Sequence, residues 1–150
     1  MTDTQVPSTL AERPTDPEHG VPVPFVGEYD DGTRGVGELN RKRVIQCALS
    51  RICGLCGRSL EWRVAFLGSA DDADRNGFVY PPLHEDCAEA AARLYPVLAV
   101  PALGQQAGLR EWALVVTGGF ELERPASRGG DQRILFRPNS VASDHRFRPG

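Results

Sequence analysis

Four residues whose side chains bind transition metals form two short pairs in this chain. Cys53 and Cys56 make the first pair and His84 and Cys87 the second, each with two residues between its members. Thiolate sulfur and imidazole nitrogen are preferred ligands of zinc in proteins, and four of them complete its tetrahedral coordination. A complete set leaves no position for water or substrate, so such sites are usually structural. The pattern therefore predicts one structural Zn²⁺ ion.

Each pair also predicts the local structure that positions it. Gly54 and Gly57 permit a tight turn, or knuckle, whose backbone amides can donate hydrogen bonds to the thiolates. Pro81-Pro82 is compatible with the start of a helix, and residues three apart lie on one helical face. His84 and Cys87 are therefore predicted to point from the first turn of a helix toward one metal ion.

A different chemistry is open to a Cys-x-x-Cys pair, which can act as a redox dithiol. In such enzymes the pair opens a helix that follows a strand, whereas Cys53 follows a predicted helix. The redox role therefore stands as the alternative to metal binding. Cys47 has no ligand spacing; we predict a small buried thiol, with participation in the metal site as its alternative.

Length and composition favour one globular domain with many loops. The 150 residues are 41% hydrophobic and 25% charged, and they include 16 Gly and 12 Pro. We expect an α+β fold, with a zinc-stabilised centre built from two helices and a short antiparallel sheet. The predicted organisation is a disordered tail over residues 1–20, the zinc-stabilised domain over 21–123, and a C-terminal strand with a loose basic tail over 124–150.

Hydrophobic periodicity predicts the elements of the first half. A helix is expected from about Glu38 to Ile52, and its buried face comprises Ile45, Ala48, Leu49 and Ile52. The run from Leu60 to Leu67 alternates apolar residues and predicts a strand that buries one face. The acidic stretch from Gly68 to Gly77 is expected to be a solvated loop.

In the second half, a helix is predicted from about Leu83 to Leu94, ended by Pro96. The β-branched and aromatic run from Trp112 to Thr117 predicts a strand, bounded by two glycines. Further strands are expected at Phe120–Glu123 and at 133–137.

Charge is unevenly distributed in a chain whose net charge is −3. Residues 1–31 contain seven acidic residues against one arginine, whereas residues 34–63 contain seven basic residues against two acidic ones. A basic surface can bind phosphate, although a charge cluster is also typical of an ordinary solvated face. The candidate macromolecule contacts on this surface are Arg41, Lys42, Arg43, Arg51, Arg58 and Arg63.

The N-terminus has no positively charged start followed by an apolar run, and no segment approaches the roughly 20 apolar residues of a membrane-spanning helix. We therefore expect a cytoplasmic protein without a membrane partner. In that reducing compartment, cysteines are more often metal ligands or buried thiols than disulfides.

The order of knuckle, strand, loop and ligand-bearing helix resembles a treble-clef zinc finger, a group that includes HNH nucleases, ribosomal proteins and binding modules. An HNH nuclease needs further histidines near the site, but His19 and His145 fall in predicted tails. At a finer level, the segments around Cys53–Cys56, Val64–Gly68 and Pro81–Ala88 resemble a group of small actinobacterial and phage-associated proteins. That resemblance spans about residues 23–98 and implies metal binding in a compact domain, without implying an activity.

Members of that group often carry a further cysteine before the proline that ends the second helix, where this chain has Tyr95-Pro96. The four-ligand site does not depend on that position.

Three functions follow as hypotheses. The first is a non-catalytic zinc module that binds nucleic acid or an acidic protein surface through its arginine-rich face. The second is an enzyme with scaffold zinc and a pocket between the helices and the C-terminal strands, for which Tyr80, Arg93, Tyr95 and Trp112 are the candidate lining residues. The third is an accessory protein whose acidic N-terminal segment folds onto a partner or onto its own basic surface.

Overall fold

The computed structural model describes residues 6–124 and 133–149, which form a mixed structure of helices and antiparallel strands. The helices are α1 (Ser8–Ala11), α2 (Arg41–Ser50), α3 (Ala70–Asp74) and α4 (Glu85–Leu94), with a 3₁₀ turn at Phe25–Gly27. The strands are β1 (Val64–Ser69), β2 (Trp112–Thr117), β3 (Phe120–Glu123), β4 (Leu135–Pro138) and β5 (Val141–Phe147). The predicted α+β class is confirmed.

The five strands form two small sheets. Strand β2 lies between β1 and β5 and pairs antiparallel with both, while β3 pairs antiparallel with β4. Gly118-Gly119 separates β2 from β3, and Asn139-Ser140 separates β4 from β5. Backbone bonds join these two breaks, since Gly118 donates to Ser140 and Asn139 to Gly119. The two sheets are therefore successive parts of one bent hairpin.

Four phenylalanine rings fill the angle between the sheets. The ring of Phe66 in β1 lies 5.6 Å from Phe78, 5.5 Å from Phe120 and 5.9 Å from Phe136, measured between centroids. Phe78 and Phe136 also exchange two backbone hydrogen bonds of 2.8 Å, which fix the second sheet to the segment before α4. We call these four residues the phenylalanine cluster.

Helix α2 differs from its prediction in bounds and in buried face. It begins after Asn40, whose backbone donates to Val26 and whose side chain accepts from the Lys42 amide. This attachment turns Val44 and Cys47 into the core and leaves Leu49 68% exposed. Three residues of the predicted face, Ile45, Ala48 and Ile52, pack half-buried against the core. The prediction for Leu49 was wrong, because the anchoring of the first turn sets the orientation of the helix.

The helix ends earlier than the glycines of the knuckle. Arg51 caps it in the left-handed conformation, with φ of 51°, and its amide reaches the carbonyl of Cys47.

Strand β1 begins only at Val64, and all six of its residues are buried. The predicted alternation from Leu60 was wrong, since both faces of β1 are covered and Trp62, before the strand, is 72% exposed.

The acidic stretch after β1 is a helix rather than a solvated loop. The Ser69 hydroxyl accepts from the Asp72 amide and caps α3. The Asp72 carboxylate is buried and accepts from Arg75 at 2.7 Å and from Gln105 at 2.8 Å. These partners satisfy the buried charge and explain why an aspartate is accommodated there.

The predicted disorder over residues 1–20 is wrong for residues 6–20, and residues 1–5 lie outside the described part. Leu10 of α1 is fully buried, and Val23 donates to Pro14 at 2.7 Å. This order was not predictable from apolar periodicity, because a single buried leucine anchors α1 and one residue makes no periodic pattern.

The loose tail predicted near the C-terminus is also corrected. Residues 141–147 form β5, which pairs with β2 along its length. Residues 125–132, within the basic segment predicted over 124–150, lie outside the described residues.

The phenylalanine cluster generates a stability prediction. We expect Phe136→Ala to lower the free energy of unfolding by about 3–5 kcal/mol, because it leaves a cavity against the rings of Phe66 and Phe120. Urea unfolding followed by circular dichroism measures this change. Phe136→Leu is the conservative control and should cost clearly less; equal losses in both variants would contradict the cavity explanation.

Candidate metal centre

The two predicted ligand pairs meet in the structure. The sulfur atoms of the three cysteines and a ring nitrogen of His84 all lie within 4.8 Å of one another. Nδ1 of His84 is 3.4 Å from Sγ of Cys56 and 3.8 Å from Sγ of Cys87. Tetrahedral zinc with ordinary bond lengths separates a sulfur and a nitrogen ligand by about 3.6 Å. The group therefore has dimensions that suit a metal ion.

A short hairpin presents Cys53 and Cys56. The amide of Cys53 donates to the carbonyl of Arg58, and that of Gly57 donates to Cys53. Gly57 has φ of +79°, and a side chain there would lie 2.8 Å from the ring of Phe25. The knuckle thus requires glycine at this position for both conformation and space.

Neighbouring segments hold this knuckle on two sides. Phe25 and Val26 donate backbone hydrogen bonds to the carbonyls of Leu55 and Gly54. On the other side, the Gly54 amide donates to Pro82 at 2.9 Å. Because Pro82 lies two residues before His84, this bond ties the knuckle directly to the second ligand pair.

His84 is the residue that precedes the first turn of α4, and Cys87 lies within that turn. Nε2 of His84 is 2.8 Å from the carbonyl oxygen of Ser59, on the outgoing arm of the knuckle. An N–H donated from Nε2 leaves Nδ1 as the nitrogen that faces the thiols. A carbonyl partner of this kind orients metal-binding histidines. The helix begins at Glu85, close to the predicted start at about Leu83, and its start directs His84 and Cys87 toward the cluster.

Hydrogen bonds among the four side chains shift the pKa values of Cys56, His84 and Cys87. Hydrogen bonds from the thiols of Cys53 and Cys87 hold the pKa of Cys56 far below its usual range. Hydrogen bonds to Cys53 and Cys56 raise the pKa of His84 to about 11, whereas the same two thiols raise the pKa of Cys87. Cys56 is therefore favoured as the thiolate, and a metal ion that binds all four groups would displace the protons held by Cys87 and His84.

Cys47 lies outside this group, although it is fully buried. Burial is the main reason that its pKa is raised, and the nearby Cys53 contributes. A protonated thiol in an apolar environment is a poor metal ligand. The structure agrees with the small buried thiol predicted for this position.

All six candidate contact residues interact with other groups within the fold. Arg43 donates to Phe25 and Glu28, and Arg51 donates to the carbonyls of Glu61 and Trp62. Ion pairs engage three more: Lys42 with Asp30, Arg58 with Glu12 and Arg63 with Glu85. Arg41, the sixth, lies exposed on the first turn of α2 and also interacts within the fold. Much of this basic charge is therefore balanced by neighbouring acids.

Glu28 is the centre of the largest of these ion-pair groups. Its carboxylate lies 2.8 Å from Arg13, 3.5 Å from Arg43 and 3.7 Å from Arg34. The guanidinium of Arg43 also lies 4.5 Å from the centroid of the Phe25 ring, which itself packs on the knuckle. Sequence reasoning missed Glu28 because its partners are spread over thirty residues of chain and meet only after folding.

The residues proposed to line an enzyme pocket do not do so, with one exception. Tyr80 and Tyr95 are fully buried, and their hydroxyls donate to the carbonyls of Gly54 and Pro22. Trp112 is 2% exposed, and its indole N–H has no acceptor among the described residues. Arg93 alone of the four lines an open depression.

The remaining histidines do not lie in loose tails. His19 contacts Asp16 in a turn, and His145 lies in β5. Neither is part of the four-residue metal cluster.

No family model matches the chain, and neither a curated protein nor a solved structure matches it. Among the described residues, no helix has the length and apolar character needed to cross a membrane.

The ion pairs of Glu28 predict a pH dependence. Hydrogen bonding from Arg13 is the largest cause that holds the pKa of Glu28 below its ordinary value of 4.5. A lowered folded-state pKa gives stability that is present above pH 4.5 and lost as pH falls through the folded value. We expect Glu28→Gln to lower the free energy of unfolding by roughly 1–3 kcal/mol at pH 7. The difference from wild type should shrink as the pH falls below 4.5.

Urea unfolding at a series of pH values measures this difference. Glu121→Gln is the matched control, because Glu121 is exposed and makes no hydrogen bond or ion pair within the described part of the chain. A Glu28→Gln penalty that stays constant down to pH 2 would contradict the electrostatic explanation.

Proposed function

We propose that this protein is a non-catalytic interaction module whose fold is stabilised by one Zn²⁺ ion bound to Cys53, Cys56, His84 and Cys87. In this proposal the knuckle, β1 and the ligand-bearing start of α4 make up a treble-clef-like centre. Zinc in this role supplies cohesion rather than reactivity.

The observation that carries this proposal is the complete ligand set. Three sulfur atoms and one nitrogen lie within 4.8 Å of one another, and two of the nitrogen–sulfur separations, 3.4 and 3.8 Å, are close to those of a zinc tetrahedron. The cysteines are buried and His84 is half-buried, with its second nitrogen occupied by the Ser59 carbonyl. A fourth protein ligand fills the position that catalytic zinc keeps open for water.

Magnitudes support a structural role. Structural zinc contributes about 10–16 kcal/mol in zinc-finger peptides, and a whole domain is stable by only about 5–15 kcal/mol. The ligands come from segments about thirty residues apart, so the ion joins parts of the chain whose closure costs entropy.

The nature of the partner follows less directly from the arginine-rich face. The accessory-protein hypothesis has support in the contacts of the acidic N-terminal segment, since Glu12 binds Arg58 and Asp30 binds Lys42. These acids reduce the charge that Arg41 and its neighbours can offer to nucleic acid. Binding through this face therefore requires a partner that displaces exposed ion pairs, which are individually weak.

The metal assignment predicts a specific stoichiometry. Elemental analysis of the purified protein should find one zinc per chain, and Cys56→Ser should lose it together with a large drop in melting temperature. Cys47→Ser is the matched control: a fully buried cysteine outside the cluster, whose variant should retain zinc. Substitution by Co²⁺ should give the visible absorption of a tetrahedral site with thiolate ligands.

Two results would overturn the proposal. The first is wild-type protein that holds no metal and melts unchanged in chelator. The second is zinc retained by the Cys56→Ser variant at wild-type stoichiometry.

A further inference from the structure

We infer that a groove between α4 and β5 is a docking surface for a protein segment that carries interleaved acidic and apolar side chains. This inference rests on the proposed interaction module and places its contact on a different face from the arginine-rich surface. The groove consists of two adjoining open depressions, of about 850 and 690 Å³, which share Val97, Arg148 and Pro149.

The sheet register shows why this groove is open. Leu114 of β2 lies opposite His145 of β5, and Trp112 lies opposite Phe147, so these four residues share one face of the sheet. Helix α4 packs against β1 and β2. It does not extend over β5, where His145 remains exposed and stacks on Phe147 with centroids 5.9 Å apart. Leu114 and Phe147, both half-buried, thus form a short apolar strip between the helix and the edge strand, whereas Trp112 is buried.

Aliphatic side chains continue this strip beyond the sheet. The turn after α4 contributes Val97 and Leu98, and Leu109 comes from the loop before β2. Val97 is 55% exposed, which is unusual for a large aliphatic residue in this chain. Isolated exposed apolar residues are ordinary, but a contiguous set that lines a depression is typical of a binding surface.

The charge around the groove is positive, in a chain whose net charge is −3. Arg93, Arg110 and Arg148 line it, against the single acid Glu89. Within residues 6–124 and 133–149, Arg110 and Arg148 make no hydrogen bond or ion pair. They differ in this respect from Arg43, Arg58 and Arg63, whose charge is used within the fold.

The combination favours an acidic and apolar protein segment over single-stranded nucleic acid. Bases bind by stacking on aromatic side chains, and most of the apolar lining here is aliphatic. A long polyanion would also be repelled by the acidic remainder of the chain. A short segment can place its carboxylates on Arg110 and Arg148 while its apolar residues cover Val97 and Leu109.

Selection from a phage-displayed library of random peptides tests this inference on the zinc-loaded full chain. Enriched peptides should combine Asp or Glu with aliphatic or aromatic residues. Labelled with fluorescein, they should bind Arg148→Glu and Val97→Asp about tenfold or more weakly in fluorescence polarisation. A labelled oligothymidylate serves as the nucleic-acid probe and should not bind.

The chain supplies a matched control for each variant. Arg124→Glu reverses another arginine without a partner in the described residues, and Val141→Asp changes another exposed valine, 51% exposed compared with 55% for Val97. Both residues lie outside the groove, so both controls should bind the peptides within about twofold of wild type. Zinc content and melting temperature, measured for all four variants, report whether the module itself is intact.

Three outcomes would overturn the docking surface: no enrichment, enriched peptides without acidic residues, or affinities that change equally in the groove variants and their controls. Oligothymidylate binding that Arg148→Glu abolishes would assign the groove to nucleic acid instead. In each of these cases, zinc bound at one ion per chain leaves the proposed zinc module standing. Absence of zinc from the wild type contradicts that proposal separately.

Discussion

The structure depends on the meeting of two short segments, the knuckle and the start of α4. Backbone hydrogen bonds from Gly54 to Pro82 and from Val26 to Gly54 fix the knuckle between its neighbours. The four ligand atoms therefore converge through ordinary backbone pairing. A cation bound there adds cohesion to an arrangement that the chain already favours, which reduces the entropy that metal binding must overcome.

Close packing around the knuckle makes several residues interdependent. The Phe25 ring rests where a side chain on Gly57 would be, and the guanidinium of Arg43 covers that ring. Arg43 and Arg13 are in turn held by Glu28. The segment that contains Phe25 and Glu28 therefore helps to hold the knuckle in place.

Local features of the sequence were sufficient for the ligand set and for some elements. The Cys-x-x-Cys and His-x-x-Cys spacings, the paired prolines before His84 and the β-branched run of β2 all act within a few residues. The orientation of α2 was not predictable, because Asn40 anchors it to Val26 and Glu28 through tertiary hydrogen bonds. Both faces of β1 are buried through contacts with α4 and the phenylalanine cluster. Such contacts between distant parts of the chain cannot be predicted from the alternation of residues within the strand.

The arginine content of a segment did not predict which arginines carry an unpaired charge, because ion pairs form between distant parts of the chain. Arginines from the basic stretch found acidic partners elsewhere in the chain, whereas Arg110 and Arg148 have none within the described residues. Helix α4 connects the metal cluster with the groove. Its first turn carries Cys87 at the metal cluster, and its last turns line the groove with Ala92 and Arg93. A metal ion bound at the cluster would therefore also fix one wall of the proposed docking groove.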